Sequence, residues 1–126
     1  MNRNKLLKHL AFLMFFIFIV NTLALKFYWY SSIWYLDIIM HFLGGLWLGI
    51  FFIYAYVRSA RTNISIPYLL VFVFFIGLLW EFFELGVYNY IGGNAFDVLD
   101  TFTDLCFDLV GGWVAYLLYV RLGYGK

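Results

Sequence analysis

The stretch Asp97–Gly112, DVLDTFTDLCFDLVGG, decides how the chain is read. Wound as a helix at about 100° per residue, it carries Asp97, Asp100, Asp104 and Asp108 within about 80° of one another, so four carboxylates form one stripe. Gly111 and Ala115 continue the stripe, and Cys106 falls on the opposite side. The segment runs on through Trp113, Tyr116, Leu117 and Leu118 as sequence apolar enough to enter a bilayer, where an ionised carboxylate is expensive. No basic partner is near. Six of the seven acids lie between Thr62 and Val120, and that interval holds no Lys or Arg. Protons or a bound cation must balance the charge.

Composition sets the class. With 126 residues, 66% hydrophobic, 25% aromatic and 12% charged, the chain lies far outside the range of soluble globular domains and is expected to be an all-α integral membrane protein. One Pro and no Ser-rich or charge-rich linker predict a single transmembrane domain over residues 1–126. The one cysteine, Cys106, cannot form an internal disulfide and reads as a small packing residue. There is no basic stripe, which excludes a nucleic-acid footprint and leaves membrane lipid as the expected partner.

Four apolar runs of roughly 20 residues or more, at about 6–25, 35–57, 66–90 and 98–120, are each long enough to span a hydrocarbon core of about 30 Å. They predict a four-helix bundle. The first run follows a basic head, Arg3, Lys5 and Lys8, with His9 as an interfacial side chain. A head and run of this kind also describe a secretory signal peptide; a retained helix is preferred because the run approaches a full span and no small-residue cleavage site follows it. Ser65 and Pro67 open the third. Counting Lys and Arg sets the head, the Arg58/Arg61 turn and the tail Arg121/Lys126 against Lys26 alone, so both termini are expected in the cytoplasm. The outer connections are then FYWYSSIWY (27–35), an aromatic belt, and the uncharged turn Gly92-Gly93-Asn94.

This topology predicts where the ionisable residues meet. His41 lies about one turn, roughly 6 Å, beneath Asp37 on helix two. Glu84 lies about 9 Å below the end of helix three, with Glu81 about 4.5 Å deeper, and Asp104 and Asp108 one and two turns into helix four. Three stripes, Asp37/His41/Gly44/Leu48, Gly77/Glu81/Glu84/Tyr88 and the acids of helix four, face one place in the outer half of the membrane. Small residues beneath them let the helices approach below a site that stays open above. Gly45 and Gly49 form a GxxxG that reads as packing within the bundle.

The constellation Asp37, His41, Glu81, Glu84, Asp100, Asp104 and Asp108 suits a divalent cation. Mg²⁺, Mn²⁺ and Ca²⁺ prefer carboxylate oxygen, and one imidazole admits Zn²⁺ or Fe²⁺. A di-iron site of the ferritin kind would need Glu-x-x-His on two helices, which is missing. In the enzyme reading the metal activates water or polarises a phosphoryl oxygen, Glu81 or Glu84 is general base and His41 is ligand or proton carrier. An outward-facing acidic pocket flanked by lipid points to a lipid or lipid-linked phosphate, hence a metal-dependent hydrolase or transferase. The alternatives are a proton or cation transporter or channel using the same carboxylates, and a non-catalytic accessory membrane protein. A purely structural role is the fourth reading, with the acids protonated or bonded to one another and to Thr101, Thr103, Asn21 and Tyr88. The inner halves of helices two to four, around Leu48–Tyr54, Tyr68–Ile76 and Trp113–Val120, carry no charged or amide group. A blind pocket favours binding or catalysis over conduction.

The order DIIMHFLGG on helix two, EFFE on helix three and DTFTDLCFDLVGG on helix four resembles the VanZ-like superfamily, in particular a branch with paired glutamates on the third helix. The likeness spans about residues 35 to 115, most of the chain apart from helix one. It implies a small four-helix bacterial envelope protein, multi-pass in the inner (plasma) membrane, with Asp37, His41, Glu81, Glu84, Asp104 and Asp108 as the shared polar set. Ile38 stands where such sequences often have Lys, Glu84 where they have Gln and Asp108 where they have Asn, and an Arg ahead of the helix-four acids is missing. Basic partners are lost and acids gained, as a cation-loaded variant requires. The family's association with resistance to a lipoglycopeptide antibiotic implies action at the cell envelope.

Overall fold

The computed structural model describes residues 3–59, 63–90 and 97–122. Arg61, Lys126 and the Gly92-Gly93-Asn94 turn lie outside the described residues, as does the Tyr88 side chain. The elements are α1 (Arg3–Lys26), α2 (Trp29–Ser32), α3 (Leu36–Arg58), α4 (Ile66–Tyr90) and α5 (Val98–Arg121), and no strand occurs among the described residues. Among the described residues four helices are long and apolar enough to cross a membrane, the shortest such span being Ile66–Val87 at 22 residues. At about 1.5 Å per residue that is roughly 33 Å, enough for a hydrocarbon core of about 30 Å. The all-α, four-span architecture expected from the apolar runs is the observed one.

Local sequence explains where the helices begin. Pro67 occupies the first turn of α4, where a missing N–H removes no helical bond. Asp97 caps α5, its carboxylate accepting from Leu99 N and Asp100 N at 3.0 and 3.3 Å. Asp97 is therefore extended backbone ahead of the helix and does not join the acidic stripe, because its oxygen satisfies free amides of the first turn. The aromatic connection contains a helical turn of its own. Trp29–Ser32 forms one helical turn, α2, led by Tyr28 in the left-handed region at φ 56°. Tyr30 donates its hydroxyl to Asn21 Oδ1 at 2.7 Å, so Asn21 ties this turn to α1 and does not serve the acids.

The bundle is built on α3 and α5, which run parallel and nearly touch. A Cβ on Gly45 would collide with the Asp108 carbonyl, and one on Gly111 with the Phe42 carbonyl, so only glycine permits this approach. Gly49 meets Ala115 and Gly112 one turn further along. Gly44, which the periodicity placed on the contact stripe, has nothing within 4 Å of its would-be Cβ; the contact face is rotated by one residue. Helix α4 runs antiparallel to α5, with Val73 and Leu69 packed over Gly112. Helix α1 packs on α3 alone among the long helices, pinned by Trp47 Nε1 donating to the Leu10 carbonyl at 3.0 Å. Leu6, Ile53, Ile64, Leu69, Val73, Ala115 and Tyr119 form a buried apolar core at the end opposite the acids.

Candidate functional site

The site is assembled from i,i+3 and i,i+4 pairs, the spacings that put two side chains on one helical face. Helix α3 supplies Asp37 and His41, α4 supplies Glu81 and Glu84, and α5 supplies Asp104 and Asp108. His41 is the hub. Its Nε2 lies 3.4 Å from Asp104 Oδ2 and 3.8 Å from both Asp37 Oδ1 and Glu81 Oε1, while Nδ1 lies 3.1 Å from Asp108 Oδ1. Carboxylates from three helices thus surround one imidazole. The His41, Glu81, Asp104 and Asp108 side chains are 7%, 9%, 2% and 6% exposed, against 40% for Asp37, so the site opens on the Asp37 side.

Depth follows from position in each helix. His41 is about 7.5 Å from the start of α3 and Asp108 about 15 Å from the start of α5, so the cluster runs from near the helix ends to about mid-helix. Gly77 makes room for its deepest member. A Cβ there would stand 2.6 Å from Asp108 Oδ2. Below, the apolar core closes the path.

Hydrogen bonding leaves this cluster incomplete. Glu81 Oε2 accepts from Thr101 Oγ1 at 3.2 Å, and Glu84 Oε1 accepts from Trp80 Nε1 at 3.0 Å. Thr103 donates to the Leu99 carbonyl of its own helix, not to the acids. Glu81 Oε1, Asp104 Oδ1 and Asp108 Oδ2 are buried without a hydrogen-bond partner. Buried polar atoms are normally satisfied, and a buried charge without a partner costs several kcal/mol or more. Among the described residues no Lys or Arg side chain pairs with these acids.

Ligand atoms of two groups, Asp37/His41/Asp104 and His41/Glu81/Glu84, lie within 4.8 Å of one another and could hold a metal ion. Asp100 is exposed in the first turn of α5, a turn above Asp104, and stands outside both groups. Asp108 faces the other edge of the imidazole. The Trp80 contact to Glu84 was not anticipated, although its four-residue spacing was the available signal.

No curated protein and no solved structure matches the chain. Over residues 1–124 it matches the family described as Predicted membrane protein (DUF2238). That match covers all four membrane-spanning helices and every residue of the cluster, and the chain belongs to this family.

Proposed function

We propose that the His41 cluster is a divalent-cation site and that the loaded protein acts on a lipid or lipid-linked phosphate at the outer membrane surface. One observation carries the reading: three buried carboxylate oxygens without hydrogen-bond partners gather around a single imidazole, and among the described residues no Lys or Arg is paired with them. Mg²⁺, Mn²⁺ and Ca²⁺ take carboxylate oxygens, and Zn²⁺ would also accept the imidazole. His41 Nε2, Asp37, Glu81 and Asp104 would hold the ion, with Glu84 and Asp100 at the rim. When bound, the ion supplies Lewis-acid activation of water or of a phosphoryl oxygen. Glu84 then serves as general base at the open side, where Trp80 fixes one of its oxygens. The acids alone would repel a phosphate, so substrate enters only where cation charge bridges it.

A basic end facing the cytoplasm, by the positive-inside rule, turns the pocket outward. The VanZ-like resemblance supports a bacterial inner membrane and work at the envelope. Binding is favoured over transport because Ile53, Leu69, Val73 and Ala115 fill the space below the acids, and the core there holds no charged or amide side chain among the described residues.

The test is metal analysis of purified protein beside Glu81→Gln and Asp104→Asn, followed by phosphate release from a polyprenyl diphosphate in vesicles with and without Mn²⁺. About one ion per wild-type chain, lost in both variants, is expected, with release only in the loaded protein. Equal metal content in all three proteins overturns the site. Metal binding without release overturns the reaction and keeps the site.

A further inference from the structure

We propose that the cleft between α1 and α5, at the end of the bundle opposite the acids, holds an acyl chain of an anionic phospholipid whose headgroup is met by Lys5, His9 and Arg121. The cleft exists because α1 packs on α3 and on neither α4 nor α5. Its volume is about 250 Å³, and its walls are mainly Leu6, Phe12 and Leu13 of α1, Ile53 of α3 and Leu118 of α5, with His9 and Tyr119 bringing the polar groups of the lining. The rest of the lining is apolar, which disfavours filling the space with ordered water. In a membrane the available apolar filler is a lipid chain.

Charge selects the headgroup. Lys5 stands one turn from His9 on the same face of α1, and Phe12 continues that face into the cleft. Arg121 is exposed beside Leu122, the residue that caps the end of α5 and lines the cleft. The seven acidic side chains of the sequence all belong to the other end of the helices. Basic groups at a gap between spanning helices recognise anionic lipid headgroups, each contributing roughly a fivefold gain in affinity.

The full chain would be placed in vesicles of equal phosphatidylglycerol and phosphatidylcholine, extracted into mild detergent, and its retained lipids counted by native mass spectrometry. Wild type is expected to retain phosphatidylglycerol in preference, with that preference falling about 5-fold for each charge removed in Lys5→Gln and in Lys5→Gln/Arg121→Gln. Leu118→Trp, which fills the open wall, should lose retained lipid of both kinds. Equal retention of the two lipids by wild type, or a preference that survives the double substitution, overturns the proposal. So does cross-linking through Leu118→Cys that shows a second copy of the chain covering the cleft.

Discussion

Asp108 meets His41 at Nδ1, 3.1 Å from Oδ1, while Nε2 of the same ring faces Asp104, Asp37 and Glu81. The two edges of one imidazole therefore look at different carboxylates. A carboxylate that accepts the Nδ1 proton leaves Nε2 with its lone pair free, which is the tautomer a metal needs. If a cation binds, Asp108 would be the group that orients His41, and the Nε2 side would provide the ligands.

Asp108→Asn tests that division. An amide oxygen can still accept from Nδ1 but no longer carries charge, so Mn²⁺ affinity is expected to fall about 10–100-fold with one ion still bound at saturation. Titration by isothermal calorimetry reads both quantities. Loss of the ion at every concentration would make Asp108 a direct ligand.

Asp104→Asn should change sign with the cation. In metal-free protein the substitution removes a buried, partnerless carboxylate oxygen, and the variant is expected to be more stable than wild type by about 1–3 kcal/mol. With Mn²⁺ at about 100 times its Kd, wild type gains about 2.7 kcal/mol and the variant gains nothing, so the order reverses. Thermal unfolding in detergent, with and without Mn²⁺, follows the crossover. A variant less stable than wild type in both conditions would mark Asp104 as structural support.

The fold and the convergence of the acids were legible in the sequence because both rest on short-range rules. Apolar runs of spanning length define helices, and three- and four-residue spacings put Glu81 with Glu84 and Asp104 with Asp108 on single faces. What lay beyond those rules was the rotation of one helix against another. Gly44 and Gly45 are adjacent in sequence and about 100° apart on the helix, and only the partner surface of α5 decides which is packed. The same limit hid which edge of His41 would meet Asp108. Asp97 was misplaced for another reason: periodicity extends a stripe past the point where a capping side chain ends the helix.

Asp97→Ala should therefore act on stability without acting on the site. Removing the cap leaves Leu99 N and Asp100 N without their acceptor and is expected to cost about 1 kcal/mol. Metal stoichiometry should not change. A loss of bound metal comparable to that in Asp104→Asn would make Asp97 part of the acidic site.

The glycines offer the sharpest comparison, since three alanine substitutions differ only in what the new methyl meets. At Gly44 it meets open space, so Gly44→Ala is expected to be neutral or stabilising by up to about 1 kcal/mol through helix propensity. At Gly45 it meets the Asp108 backbone, which cannot move without parting α3 from α5, so Gly45→Ala should destabilise by about 1–3 kcal/mol or more. At Gly77 the obstacle is a carboxylate oxygen at the end of a side chain that can turn aside. Gly77→Ala should then fold nearly as well as wild type, yet bind Mn²⁺ more weakly, because Asp108 is pushed off Nδ1 of His41. Denaturant unfolding beside Mn²⁺ titration separates the three outcomes. Equal affinity in Gly77→Ala and wild type would disconnect the Asp108 contact from the cation site.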